Sequence, residues 1–114
     1  VETILGITKD EKAGHMIMFG LGGIFVEVFK DVNFKLVPVN DVETMAMIHS
    51  IKSFEMLKGV RGRKPVDIDY ISESLLRLSQ LSRDFPEFEE IDLNPFVFFD
   101  TKESSCILDA RIRL

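Results

Sequence analysis

The chain has 114 residues, of which 46% are hydrophobic, so it has room for one domain with one core. A formal net charge of −5, with no cluster of Lys and Arg interleaved with aromatic residues, argues against a nucleic-acid partner. No apolar stretch approaches the roughly 20 residues that cross a bilayer, and a single cysteine excludes an internal disulfide, so we expect a soluble, cytoplasmic protein.

The first forty residues predict an antiparallel sheet, because short apolar runs alternate with polar or glycine-containing turns. The predicted strands cover residues 3–8, 15–19, 24–29 and 34–39. Pro38 favours a strand end or a sheet edge. Glu27 is a carboxylate in an otherwise apolar run, so it requires an exposed face or a partner.

The spacing of apolar residues then changes to that of helices. Asn40 or Asp41 can cap a first helix. A longer helix begins near Asp67 or Asp69 and ends before Pro86. Its apolar stripe is long and regular, and consists of Ile68, Ile71, Leu75, Leu78 and Leu81.

Strands return after the second helix. Residues 90–93 and 96–99 are predicted to be extended, and residues 106–114 form the last strand after a polar turn. Cys106 lies in an apolar run, which predicts a buried thiol. We therefore predict a single α+β domain over residues 1–114, with an antiparallel sheet covered on one face by two main helices and open on the other.

Three oxygen-bearing side chains are brought together by the last hairpin. If its turn is centred near Thr101 and Lys102, Asn94 lies opposite Asp109, and Asp92 shares a face with Asn94. The apolar residues of the returning strand then face the core: Leu108, Ala110 and Ile112. Carboxylates with an amide oxygen suit Mg²⁺ held jointly with nucleotide phosphates. Spacing alone favours the alternative of solvated aspartates and an Asn-Pro turn, because a small register shift loosens the geometry.

Two further features are weaker. The glycine run at residues 20–23 completes neither a dinucleotide-binding fingerprint nor a P-loop, and taken alone it favours a tight strand connection over a phosphate contact. The loop at residues 61–64 holds three positive charges, which fit either a phosphate ligand or a solvated surface.

Four segments together resemble the ATP-grasp domain of NDP-forming acyl-CoA synthetases. They span residues 18–27, 57–62, 91–95 and 108–111, follow the order found in that family and cover nearly the whole chain. The glycine run and the Leu-Asp-Ala-Arg segment are the more specific of these motifs. Succinyl-CoA ligase β subunits look like more distant relatives. The resemblance implies the second, C-terminal lobe of an ATP-grasp fold.

The resemblance also implies an activity, an acetate-CoA ligase of the ADP-forming type. In that family, acyl-CoA, phosphate and ADP are interconverted with acid, CoA and ATP through an acyl phosphate and a phosphohistidine. The cofactors are then Mg²⁺ and ATP or ADP. Asn94 and Asp109 match magnesium-ligand positions, with Asp92 beside them. The positions matched to the nucleotide cleft are Glu2, Gly22, Gly23 and Glu27.

Several parts of such an enzyme are missing from these 114 residues. The expected partners are an N-terminal ATP-grasp lobe and the CoA-binding domains or subunit of a parent enzyme, and the chain alone is expected to be inactive. Val1 lies in a strand-like run, which suggests an excised domain, and His15 stands where relatives often have proline. The alternatives are a non-catalytic regulatory module, as in some protein acetyltransferases, and an interaction domain that pairs through its open sheet face.

Overall fold

The fold, seen in a computed structural model that describes residues 1–23, 27–60 and 62–114, is built on one antiparallel sheet. Its strands within the described residues are β1 (Glu2–Asp10), β2 (Gly14–Leu21), β3 (Val32–Leu36), β4 (Glu90–Val97), β5 (Cys106–Ile107) and β6 (Ala110–Arg113). Their order is β3-β2-β1-β4-β5, and β6 also pairs with β4. The strands β5 and β6 therefore follow one another along the same edge of the sheet.

Two helices pack against this sheet, and capping residues determine where each begins. Helix α1 (Asp41–Ser50) has a capping box, in which Asn40 accepts from the Glu43 N–H at 2.8 Å and Glu43 accepts from the Asn40 N–H at 3.2 Å. Helix α2 (Ile68–Asp84) begins where Asp67 accepts from the Tyr70 N–H at 3.0 Å. A short 3₁₀ helix (Phe54–Lys58) connects them. Both predicted helices are confirmed, and none of those in the described part of the chain is long and apolar enough to cross a membrane.

The core lies between the helices and one face of β1 and β2. Leu5 pairs with Phe19 and Ile7 pairs with Ile17, and all four side chains are buried. The stripe of α2 that packs onto them is Ile71, Leu75 and Leu78. Alternate residues of the same strands point to the opposite face, over which neither α1 nor α2 packs. The predicted α+β class, an antiparallel sheet with two main helices packed on one face, is confirmed.

The prediction of a third strand at residues 24–29 is wrong where it can be checked. Residues 24–26 lie outside the described part, but Glu27 is helical, and its N–H donates to the Gly23 carbonyl oxygen at 3.0 Å. Strand β2 runs on to Leu21, and Gly23 then adopts a left-handed φ of 64° that ends it. A short apolar run after glycines has the same pattern in a strand and in a short helix.

The predicted burial of the last strand is also wrong. Leu108 and Ile112 are 64% and 59% exposed, and Ala110 and Cys106 are exposed as well. The helices pack over β1, β2 and β3, whereas β5 and β6 form the far edge of the sheet beyond their reach. Residues of this edge strand are therefore exposed on both faces.

Candidate functional site

The register of the last hairpin determines which polar side chains meet. Leu93 pairs with Ala110, and Phe96 pairs with Ile107. Between these pairs, the Asn94 N–H donates to the Asp109 carbonyl oxygen at 3.0 Å. Asn94 therefore lies opposite Asp109, as the sequence predicts.

The pairing of β4 with β1 places the polar residues on the open face. Asp92 pairs with Gly6, which alternates with the core residue Leu5, so Asp92 points away from the core. The register then shifts between Thr3 and Leu5, where β4 has one residue more than β1. A bulge of this kind bends the strand and re-aims its side chains, and Asn94 lies within it.

A small hollow lies beside Asp92 because Gly6 has no side chain. Its volume is about 140 Å³, and Thr8, Met18 and Glu90 are among the other residues that line it. A Cβ atom on Gly6 would be 3.5 Å from the Met18 Cε and 3.0 Å from the Ile91 carbonyl oxygen. This glycine therefore keeps the open face accessible next to the carboxylate.

The side-chain oxygen atoms of the three predicted metal ligands have no hydrogen-bond partners among the described residues. Asp92 is half-buried, whereas Asn94 and Asp109 are exposed, and none of these side chains is hydrogen bonded to another residue in the described part. Burial raises the pKa of the Asp92 carboxyl above its usual range, and the negative charges of Glu90 and Asp109 add to the rise, whereas Arg111 opposes it. A divalent cation would relieve this excess of negative charge.

The side-chain oxygen atoms of Asp92, Asn94 and Asp109 are of the type that Mg²⁺ prefers. Two carboxylates and one amide oxygen are hard ligands, and Mg²⁺ commonly takes one or two carboxylates together with phosphates and water. The described residues contain no group of three or more His, Cys, Asp or Glu arranged to hold a metal by themselves. The remaining ligands would therefore come from phosphate oxygens and water.

A groove of about 390 Å³ brings together three of the four residues matched to the nucleotide cleft. Glu2, Gly22 and Gly23 line it, and the Gly22 N–H donates to the Glu2 carbonyl oxygen at 2.9 Å. Glu27, whose N–H donates to the Gly23 carbonyl oxygen, is not among the lining residues. Val97 of β4 also lines the groove, so groove and oxygen donors lie along the same strand.

Sequence reasoning left the basic loop undecided between phosphate and solvent. In the structure, Arg63 reaches the groove beside Glu2 and also lines an adjoining groove of about 570 Å³, together with Lys64 and Phe99. Arg61 lies outside the described residues. Gly59 ends the 3₁₀ helix with a left-handed φ of 84° and turns the loop toward this end of the sheet. The positive charge of that loop is the feature of the sequence that could have indicated Arg63 as a residue lining the groove.

The sheet, its open oxygen-bearing face and the adjoining groove are the features of an ATP-grasp lobe. The family described as ATP-grasp domain matches residues 1–114, and the chain belongs to this family. Within it, the chain is similar to ADP-forming acid–CoA ligases, so the resemblance seen in the sequence is confirmed.

Two curated relatives and one solved structure illustrate this similarity. The chain is 45% identical over 114 residues to acetate–CoA ligase [ADP-forming] II subunit beta of Pyrococcus furiosus, covering 99% of this chain and 48% of that subunit. It is 50% identical over 113 residues to 4-hydroxybutyrate–CoA ligase [ADP-forming] of Nitrosopumilus maritimus, covering 99% and 16%.

The solved structure is acetyl-coenzyme A synthetase 1 of Ca. Korarchaeum cryptofilum in complex with coenzyme A and Mg-AMPPCP, with its phosphohistidine segment pointing towards the nucleotide-binding site. It superposes with a TM-score of 0.93 at 39% identity, covering 100% of this chain and 53% of that one. The chain thus spans about half the length of the β subunit and of this structure.

Proposed function

We propose that this chain is the nucleotide- and magnesium-binding lobe of an ADP-forming acyl-CoA synthetase. In the complete protein it would take part in phosphoryl transfer between a phosphohistidine and ADP. The observation that carries this proposal is the pairing of Asn94 with Asp109 on the sheet face that also presents Asp92. Similarity to acetate–CoA ligases over nearly the whole chain supports the same assignment.

The proposed roles follow from the positions of the side chains. Asp92, Asn94 and Asp109 would hold Mg²⁺, which supplies charge neutralisation to the phosphates when bound. Arg63 lies in the groove lined by Glu2, where its planar guanidinium is placed to receive a phosphate or carboxylate oxygen. Phosphoryl transfer to a nucleotide requires little covalent chemistry from this lobe, so its contribution to catalysis would be positioning and electrostatic stabilisation.

The rest of the active site would come from elsewhere in the parent protein. An ATP-grasp site closes between two lobes, and we propose that the first lobe, the CoA site and the phosphohistidine lie in the remaining half of the subunit or in a second subunit. The related β subunit is about twice as long as this chain, which supports that division. We therefore expect no ATP formation by the 114 residues alone.

The test is the Asp109→Ala substitution in the complete protein. We expect ATP formation from acyl-CoA, phosphate and ADP to fall at least about 100-fold, because the metal loses one of its protein ligands. Glu103→Ala is the matched control, since Glu103 is an exposed carboxylate in the turn of the same hairpin. It should retain activity, and both variants should keep the circular dichroism spectrum of the wild type.

Two results would contradict the proposal. Full turnover by Asp109→Ala would show that this carboxylate is not a metal ligand. Failure of the wild-type protein to bind ADP or ATP in the presence of Mg²⁺, measured by calorimetry, would instead favour the non-catalytic regulatory module.

A further inference from the structure

Arg111 stands directly opposite Asp92 in the pairing of β6 with β4. Side chains of directly paired residues are roughly 5 Å apart at their Cβ atoms and lie on the same face of a sheet. Asp109 precedes Arg111 by two residues on the same edge of the sheet. The guanidinium thus lies on the open face next to two of the three oxygen donors.

Arg111 lies close enough to Asp92 to lower the pKa of that carboxyl, but its N–H groups donate to no residue in the described ranges. Arg113 is the next arginine on the same face, and its Nη2 donates to the Glu90 Oε2 at 3.3 Å. Arg111 is exposed and makes no hydrogen bond or ion pair with any residue in the described ranges, including Asp92 opposite. One of two neighbouring arginines is therefore paired within the sheet, and the other has its guanidinium N–H donors available.

We propose that Arg111 is a catalytic residue that contacts the phosphoryl group during its transfer between the phosphohistidine and ADP. This inference rests on the proposed function. With Mg²⁺ and phosphate bound at Asp92 and Asp109, the Arg111 guanidinium would present paired N–H donors to the phosphoryl oxygens. Removal of Mg²⁺ ligands and removal of Arg111 would then impair different parts of the site.

The transfer that Arg111 would assist moves one phosphoryl group from the phosphohistidine to ADP. The N–P bond of the phosphohistidine breaks, and its electron pair remains on the imidazole nitrogen, which leaves a neutral ring that keeps the proton on its other nitrogen. A terminal β-phosphate oxygen of ADP supplies the electron pair of the new P–O bond. In the transition state, negative charge is spread over the three oxygens of the phosphoryl group, and a guanidinium stabilises that charge.

The experiment compares Arg111→Met and Arg111→Lys with Arg113→Met in the complete protein. ATP formation is measured over a range of ADP concentrations at saturating acyl-CoA and phosphate. We expect kcat of Arg111→Met to fall about 100-fold or more, with a change in the KM for ADP of less than about fivefold, because the lost contact forms in the transition state. Arg111→Lys should recover part of the loss, since it keeps the charge but not the planar fork.

Arg113→Met controls for loss of an open-face arginine, and it should stay within about twofold of the wild type because Arg113 pairs with Glu90. Thermal unfolding of each variant detects a loss of fold. If Arg111→Met does not fold, the kcat of the more conservative Arg111→Lys variant is compared with that of the wild type instead. A kcat of Arg111→Met within about threefold of the wild type, or an effect confined to the KM for ADP, overturns the inference. Absence of ATP formation by the wild type overturns the proposed function and this inference with it.

Discussion

The most sharply defined structural prediction concerns Asp31, a buried carboxylate just before β3. Its side chain is only 5% exposed. One carboxylate oxygen accepts from the Lys52 N–H at 2.6 Å, and the other accepts from the Ser53 N–H at 2.8 Å and from the Ser53 hydroxyl. Asp31 therefore fixes the segment that follows α1 against the start of β3.

Substitution of Asp31 by alanine leaves two backbone N–H groups and one hydroxyl without their acceptor. Each unsatisfied buried donor costs about 1–3 kcal/mol. Water that enters the space left by the carboxylate can accept from some of the three donors, which reduces the total cost. We therefore expect the free energy of unfolding to fall by about 3–5 kcal/mol. A domain of this size is stable by roughly 5–15 kcal/mol, so the variant should be close to unfolding. Urea denaturation followed by circular dichroism measures the difference.

A double-mutant cycle identifies the contacts responsible. Ser53→Ala removes one donor and should cost about 1 kcal/mol in the wild type and much less in the Asp31→Ala background, because the two residues share one interaction. Asp10→Asn is a useful control, since Asp10 is exposed and accepts from the Lys12 and Ala13 N–H groups, both at 2.8 Å, where water can substitute. Additivity of the Asp31 and Ser53 effects would refute the reasoning.

The same contacts predict a pH dependence. Burial opposes ionisation of Asp31, but the hydrogen bonds from Ser53 and Lys52 outweigh it and hold the pKa of this carboxyl below the usual 3.8. The advantage of the wild type over Asp31→Asn is therefore fully present above that value and is lost as the pH falls through the lower pKa of the folded state. Urea midpoints at pH 7 and at about pH 2–3 check this, and an advantage that grows on acidification would contradict it.

Two further predictions concern the basic loop and the metal site. Gly59→Ala should cost about 3 kcal/mol or more, since its left-handed φ disfavours a side chain and the new Cβ would lie 2.3 Å from the Arg63 carbonyl oxygen. Gly62→Ala is the control, with a left-handed φ but nothing within 4 Å of the Cβ in the described part, and equal losses by urea denaturation would contradict the steric argument. Asp92→Asn should raise the melting temperature at pH 7, because the raised pKa of Asp92 means that the ionised carboxylate destabilises the fold above that pKa. The gain should vanish below about pH 3.8, while calorimetry on the complete protein should show weakened Mg²⁺-dependent nucleotide binding.

Agreement between sequence and structure is best where local patterns suffice. The pairing of Asn94 with Asp109 could be predicted because a short polar turn fixes the register of a hairpin and strand alternation then assigns each side chain to a face. The beginning of α2 could be predicted because Asp67 is a strong N-cap before an amphipathic stripe.

The failures arise where the pattern is ambiguous or the answer depends on distant parts of the chain. The run that includes Glu27 reads equally as a strand or as a short helix. Alternation in the last strand assigns Leu108 and Ile112 to the same face as the core, but it does not say that α1 and α2 stop short of that edge. Burial depends on which strand ends at the edge of the sheet, and no local pattern carries that information.

The sequence by itself determined the type and order of most elements, the register of the last hairpin and the family, because these depend on residue periodicity, capping and contiguous motifs. Only the tertiary structure decided that Arg63 reaches the groove beside Glu2, and that Arg113 binds Glu90 whereas Arg111 makes no hydrogen bond or ion pair within the described ranges. These relations join residues far apart in the chain or depend on which of two equivalent side chains finds a partner. They are consequences of packing, and packing is a property of the whole fold.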